Sequence, residues 1–357
     1  MRTLHFFKQA FLVVFIVGFT HFSFAQGKDL PNVVILATGG TIAGTAEGAD
    51  QAGYTAGQLG VTTMIESVPG IQELANLKGE QISNVGSQDM SIDIWLTLAD
   101  RINTLLASNE VDGIVITHGT DTQEETAYFL NLVVKSDKPV VTTGAMRPAT
   151  AISAEGPLNL YNAVAVAASP KSIGKGVMVV MNDQIHSAHD ATKISTTAVQ
   201  SFMSPVEGQI GGVIYGNIEY YRSPYSIHTT KSEFSVEGVM ELPRVDIMYA
   251  YADMPADFIA YSIKAGAKGI VIAGVGNGNM NAATLEAVKK ATGQGIVVVR
   301  STRLPSGDVL RNAEVNDDEY GTVVSDELNP AKARVLLMLT LLKERNIEEI
   351  QEIFFNY

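Results

Sequence analysis

Seven short apolar runs recur along this chain, at residues 33–38, 113–117, 139–143, 176–182, 245–251, 269–274 and 296–301. Helix-like patterns at 93–106, 122–134, 157–168 and 281–292 lie between them. Several of the runs are unbroken Val/Ile stretches rather than alternating ones, which suits parallel strands covered on both faces. Strands alternating with helices are βαβ units, so the expected fold class is α/β, with two α/β domains. The rhythm weakens over residues 221–243, where Ser, Thr, Pro and charge replace it, and resumes at Arg244. The expected division is a larger N-terminal domain over 26–220 with a mostly parallel sheet, a linker over 221–243 and a smaller C-terminal α/β domain over 244–357. No solenoid period or low-complexity tract interrupts this pattern.

Residues 1–25 are read separately as an export signal. Arg2 and Lys8 flank the start of an apolar run over 10–19, and Ser23-Phe24-Ala25 offers the small residues a signal peptidase requires. The run is half the roughly 20 residues needed to span a bilayer, so cleavage before Gln26 is expected rather than anchoring. Arg2 and Lys8 leave with the signal, taking the net charge from -13 to -15. An acidic surface repels nucleic acid and anionic lipid and favours a small-molecule partner, with no membrane association after cleavage. The chain has 0 cysteines, which excludes thiol chemistry and Cys-ligated metals. An exported chain without disulfides must rely on core burial.

Two of the apolar runs end in threonine-bearing glycine turns, Gly39-Gly40-Thr41 and His118-Gly119-Thr120-Asp121. Ligands of open α/β sheets sit at the carboxyl ends of strands, so these turns aim two hydroxyls, a carboxylate and backbone N–H groups at one crevice. That inventory suits threonine attack on a carbonyl. Each part also has a plainer explanation. Gly39-Gly40-Thr41 makes an ordinary tight turn, and Thr122 with Glu125 fits a capping box on the following helix. Gly44, Gly48, Gly53 and Gly57 with Tyr54 fit either a lid carrying a phenol or a surface loop. Gly86-Ser87-Gln88-Asp89 precedes a helix expected to begin near Ser91; it is either a cap or a site for an amino-acid carboxylate and ammonium. Lys193, in Asp190-Ala191-Thr192-Lys193, is either solvated or a base.

Three other signals carry less weight. Gly274-Val275-Gly276-Asn277-Gly278-Asn279 has Asn where a dinucleotide fingerprint has Gly or Ala. His186, His189 and Asp190 are expected as a polar surface rather than a metal site. No Gly-x-x-x-x-Gly-Lys-Ser/Thr motif is present, which argues against phosphate transfer.

Six segments spread over residues 30–357 resemble one family, the exported type II bacterial L-asparaginases. They are Ala37-Thr38-Gly39-Gly40-Thr41-Ile42-Ala43-Gly44, Gly86-Ser87-Gln88-Asp89-Met90, Thr117-His118-Gly119-Thr120-Asp121-Thr122, Gly144-Ala145-Met146-Arg147-Pro148, Ala273-Gly274-Val275-Gly276-Asn277-Gly278-Asn279 and residues 326–336. The resemblance implies a periplasmic enzyme that hydrolyses L-asparagine to L-aspartate and ammonia without metal or cofactor. It also implies a homotetramer built as a dimer of dimers. By the same resemblance Thr41 is the nucleophile of an acyl-enzyme, with Tyr54 beside it on the lid. Thr120, Lys193 and Asp121 become a second hydroxyl, a base and an acid group. Gly40, Ser87, Gln88, Thr120 and Asp121 would line the substrate, and the Ala145 carbonyl would accept from its amide. Asn279 and Glu314 would reach the substrate ammonium from a neighbouring subunit. Residues 45–53 match poorly, leaving a glutaminase-asparaginase as one alternative. A second, from another class, is an exported amino-acid binding protein, which would bind asparagine without releasing ammonia.

Overall fold

The computed structural model describes residues 30–45, 55, 57 and 60–357. The proposed signal (1–25) and Tyr54 lie outside the described residues. Ten strands form in the first part of the chain: β1 (Asn32–Gly39), β2 (Asn76–Val85), β3 (Gly113–Thr117), β4 (Val140–Thr143), β5 (Val177–Met181), β6 (Gln184–Ser187), β7 (Thr192–Lys193), β8 (Phe202–Met203), β9 (Gly211–Ile214) and β10 (Asn217–Tyr220). Eight of them make one sheet in the order β10-β9-β6-β5-β4-β3-β1-β2, while β7 and β8 pair apart from it. β2, β1, β3, β4 and β5 run parallel; β6, β9 and β10 extend the sheet antiparallel. A separate parallel sheet holds β11 (Val245–Tyr249), β12 (Gly269–Gly274), β13 (Val297–Thr302) and β14 (Thr322–Val324) in sequence order. Between β10 and β11 the only regular element described is a 3-10 turn at Thr229–Lys231.

All seven apolar runs are strands, and β1, β3, β4, β5 and β12 are buried along almost their whole length. The two faces of β1 feed different cores: Val34 and Leu36 one, Val33, Ile35 and Ala37 the other, as period-two alternation requires. β2 escaped prediction because it is an edge strand. Its sequence NLKGEQISNV is half exposed and carries charge and amides where the inner strands carry Val and Ile.

The helices are α1 (Val61–Glu66), α2 (Ile92–Ala107), α3 (Gln123–Val133), α4 (Gly156–Ala167), α5 (Asp257–Lys264), α6 (Ala282–Thr292), α7 (Asp317–Tyr320), α8 (Pro330–Thr340) and α9 (Ile347–Asn356). Ser91 caps α2 as expected, its hydroxyl accepting from the Ile94 N–H at 3.3 Å. The expected Thr122 capping box does not form. The Thr122 hydroxyl donates instead to the Ser87 carbonyl at 2.7 Å, so a distant turn has taken the side chain that a cap would use. α3 packs against α8, and one apolar cluster runs from Trp95, Phe129 and Leu130 to Leu336 and Leu339 on α8 and Phe354 on α9. Tyr128 seals that contact by donating to the Tyr357 carbonyl at 2.6 Å. Among the described residues no helix is long and apolar enough to cross a membrane.

Candidate active site

In the order β2-β1-β3-β4-β5 the chain leaves β1 for one side of the sheet and later returns on the other. The carboxyl ends of β1 and β3 therefore flank the topological switch point, where a doubly wound sheet opens a crevice. Gly39 ends β1 and Gly40 follows it, with φ of 112° and 81°, conformations that glycine adopts without strain. A Cβ on Gly40 would lie 2.4 Å from the Gly119 nitrogen, and one on Gly119 would lie 2.7 Å from Ser87 Oγ. Three turns from distant parts of the chain thus meet, the first two backbone to backbone and the third through the Ser87 side chain. Thr41, Ser87 and Thr120 are each 5 % exposed at this junction. Ser87 binds the others together, its hydroxyl accepting from the Asp121 N–H at 3.2 Å.

Lys193, on β7, completes the cluster. Its ammonium nitrogen lies 2.9 Å from Thr120 Oγ1 and 2.5 Å from Asp121 Oδ1. The Thr120 hydroxyl donates to Met146 Sδ at 3.4 Å while its oxygen receives the lysine proton. Lys193 is 16 % exposed at the side chain against 61 % for Asp121, so the ion pair has a buried end and a wet end.

Sequence reasoning missed what holds Lys193. Its backbone N–H donates to Glu124 Oε2 at 2.6 Å, and Glu124 Oε1 accepts from Asn329 at 3.2 Å. Lys332, 2 % exposed on α8, donates to the carbonyls of His189 and Ala191 at 2.7 and 2.8 Å. Burial pulls the Lys332 ammonium below the usual lysine range. A signal was present: Lys332 stands at helical spacing with Leu336 and Leu339, a charge on an apolar stripe.

Beneath the second turn, His118 is fully buried. The Thr126 hydroxyl accepts from Trp95 Nε1 at 2.8 Å, so its own proton goes to His118 Nε2 at 2.9 Å. His118 Nδ1 then carries the ring proton and donates to the Gly119 carbonyl at 2.6 Å. Burial pulls the His118 imidazole down to about 4. Ala145 is fully buried, on a loop held by Asn159 donating to the Gly144 carbonyl at 2.9 Å. Gln88 is exposed, its amide folded over Gly86. Thr45 and Thr55 exchange backbone hydrogen bonds at 3.1 and 2.9 Å. The expected lid between them lies outside the described residues.

Asn279 and Glu314 form a second cluster, on the four-stranded sheet, where Asn279 Nδ2 donates to Glu314. Asn279 Oδ1 is buried without a hydrogen-bond partner, while Glu314 is exposed.

The polar surface expected at His186, His189 and Asp190 is corrected: they are 1 %, 5 % and 6 % exposed, His186 as part of β6, and the following loop because Lys332 of α8 donates to the His189 and Ala191 carbonyls. His189, Glu207 and Glu327 offer ligand atoms within 4.8 Å of one another. Each ring nitrogen nevertheless faces its own carboxylate, Nδ1 to Glu207 at 3.1 Å and Nε2 to Glu327 at 3.5 Å. Arg222 neutralises Glu207 from the other side at 2.5 Å. The arrangement suits an ion network better than a metal, which needs its ligands converging on one point.

Residues 32–226 match the family description "Asparaginase, N-terminal", and residues 244–354 match "Glutaminase/Asparaginase C-terminal domain". The chain is 54% identical over 335 residues to "Probable L-asparaginase periplasmic" of Haemophilus influenzae, covering 94% of this chain and 95% of that one. It is 46% identical over 341 residues to "Glutaminase-asparaginase" of Pseudomonas fluorescens biotype A, covering 93% and 94%. Among solved structures, a probable cytoplasmic L-asparaginase from Campylobacter jejuni superposes with a TM-score of 0.89 at 44% identity, covering 92% of this chain and all of that one.

Proposed function

The chain belongs to the asparaginase family, and from that premise we propose that it hydrolyses L-asparagine to L-aspartate and ammonia at the β1/β3 crevice. The observation that carries this reading is the contact of Lys193 with Thr120 and Asp121, beside a turn that brings Thr41 to the same junction. A threonine hydroxyl is a weak nucleophile until a base takes its proton. In the proposed sequence Thr41 Oγ attacks the side-chain amide carbon, the C–N bond breaks, and the nitrogen takes a proton and leaves as ammonia. Water then cleaves the acyl ester. Thr120, Lys193 and Asp121 relay the protons. Backbone N–H groups at Thr41 and Thr120 steady the oxyanion, each worth roughly 3 to 4 kcal/mol.

One observation favours a second reading within this mechanism. Lys193 Nζ lies 2.9 Å from the Thr120 hydroxyl, which makes Thr120 an alternative attacking group. Mass spectrometry of acid-quenched enzyme decides between them by which peptide carries the acyl group.

Ser87, Gln88 and Asp121 are proposed to hold the α-carboxylate and α-ammonium, with Gly40 and Thr120 alongside and the Ala145 carbonyl taking the amide N–H. A relative named for both glutaminase and asparaginase makes side activity on glutamine part of the proposal. One methylene is worth only about 1 to 3 kcal/mol of discrimination. Comparing kcat/KM on the two amides tests it, and equal values would favour a glutaminase-asparaginase. The binding-protein alternative is set aside, since the relatives are named as enzymes. Turnover-free binding of asparagine would restore it.

The domain division at 220 and 244, export to the periplasm and assembly as a homotetramer belong to the same proposal. Sequencing the secreted protein should return a start at Gln26; an intact Met1 would contradict cleavage. Asn279 and Glu314 are proposed to complete the pocket of a neighbouring subunit. Thr41→Ala and Glu314→Ala subunits, each nearly inactive, should then regain activity when refolded together. No recovery in mixtures shown by native mass spectrometry to contain both would sink the shared site.

A further inference from the structure

One buried side chain on β13 holds both segments of the Asn279–Glu314 cluster. Arg300 is 1 % exposed, and its guanidinium has five N–H donors. Nε and Nη2 meet the two carboxylate oxygens of Asp317 at 2.7 and 2.8 Å. Nη1 donates to the carbonyls of Asn277 and Gly278 at 3.1 and 3.3 Å, the two residues that lead into Asn279. Nη2 also reaches the Leu310 carbonyl at 3.2 Å. Each donor therefore has an acceptor, and the acceptors lie on the loop bearing Asn279 and on both sides of Glu314.

Asp317 extends the same brace. It accepts from the Asn312 N–H at 2.8 Å and from the Thr322 hydroxyl at 2.5 Å. The two segments are also joined directly, the Leu310 N–H donating to Asn277 Oδ1 at 2.8 Å. Burying such an ion pair is a poor way to gain stability, because desolvation offsets most of the attraction, and apolar residues of similar volume often do as well. What apolar residues cannot do is fix four backbone groups of two loops at hydrogen-bond distances.

We propose that Arg300, paired with Asp317, is the positioning residue that sets Asn279 against Glu314 and so shapes the subsite for the substrate's α-ammonium group. The proposal rests on the reading that Asn279 and Glu314 receive that group. Neither Arg300 nor Asp317 touches the substrate; they act through the two loops.

The test compares kcat/KM for L-asparagine with that for succinic acid monoamide, which is asparagine without its amino group. The wild-type enzyme should prefer asparagine strongly, and Glu314→Gln should lose most of that preference. Asp317→Asn should lower the preference by about tenfold to a hundredfold, as for misplacement of a binding group by an ångström or so, leaving kcat/KM for the monoamide unchanged. Thr322→Val keeps the ion pair and the side-chain volume, should give a smaller loss of the same kind, and carries the test if Asp317→Asn does not fold. If the folded variants keep the wild-type preference while Glu314→Gln loses it, the positioning role is overturned. Equal losses on both substrates overturn it too, since they mark a merely structural residue. If Glu314→Gln itself keeps the preference, the underlying reading has failed and the Arg300 proposal fails with it.

Discussion

The carboxyl ends of the two sheets solve the same problem by opposite means. On the eight-stranded sheet, turns meet glycine to glycine, with a neutral histidine beneath them and a single ammonium at the rim. On the four-stranded sheet, a buried guanidinium and carboxylate do the fastening beneath the Asn279–Glu314 contact. Close backbone packing leaves room for hydroxyls beside a base, which is what bond making needs. An ion-pair brace fixes a binding group at a distance, which is what recognition needs. The difference teaches that at the proposed recognising end a buried ion pair grips the turns themselves, whereas at the proposed reacting end the turns meet without charge and the buried Lys332 holds only the segment leading to Lys193.

The largest expected effect tests the reacting end. Thr41→Ala should lower kcat by roughly 10,000-fold, the scale seen when a nucleophile is removed, with the melting temperature nearly unchanged. Wild-type turnover in that variant would remove Thr41 from the mechanism and leave Thr120 as the attacking group. Lys193→Met should cost about 100-fold or more in kcat; a change confined to KM would move Lys193 to the recognising side of the comparison.

Acid should separate the two ends next. His118 is held neutral by burial, its value lowered from 6.5 to about 4. The unfolded chain takes up this proton as pH falls below 6.5, and the folded chain does not until about 4, so stability declines across that window by up to roughly 3 kcal/mol. His186, also buried and lowered to about 4, adds to the decline. Burial pushes the Asp317 carboxyl up, but Arg300, Thr322 and the Asn312 N–H hold it below its ordinary 3.8, so its contribution persists until pH falls below that value. Hydrogen exchange followed from pH 7 to 4 should therefore lose protection at β3 and α3 before β13 and α7. Glu125, raised by burial to about 7, works in the opposite sense, stabilising the fold most at acid pH and losing that as pH rises through 7. Comparison of His118→Gln with wild type removes this offset. Identical acid profiles for the two would contradict the account. The smallest effect is expected from chelation. EDTA should leave activity unchanged, and a loss that zinc restores would turn the His189–Glu207–Glu327 network back into a metal centre.

The parallel inner strands were legible because burial on both faces fills them with Val and Ile, whereas the antiparallel inner strands β6 and β9, four residues each with Gln, His and Gly among them, were not. Edge strand β2 was not, since solvent on one side permits Lys78, Glu80 and Gln81. At the site, the meeting of the threonine turns was legible from their places at the carboxyl ends of two strands, although each turn alone reads equally as an ordinary tight turn. The capping box at Thr122 failed because side chains choose among partners that sequence distance hides, here a carbonyl 35 residues away. Lys332 and Arg300 were overlooked for a related reason. A buried charge is only intelligible once its acceptors, from loops far along the chain, are assembled around it.

The grip on Lys193 also has a meaning in time. The first sheet is complete in sequence once β10 has been synthesised, yet Asn329 and Lys332, which hold Glu124 and the segment before Lys193, come more than a hundred residues later. A growing chain emerging from its N-terminus can pair the first sheet early, since domains fold as units during synthesis. It cannot complete the contacts around Lys193, the proposed base, until α8 has followed. On the proposed role of Lys193, a nascent or prematurely terminated polypeptide lacks the contacts that hold its base in place, and full activity waits on α8.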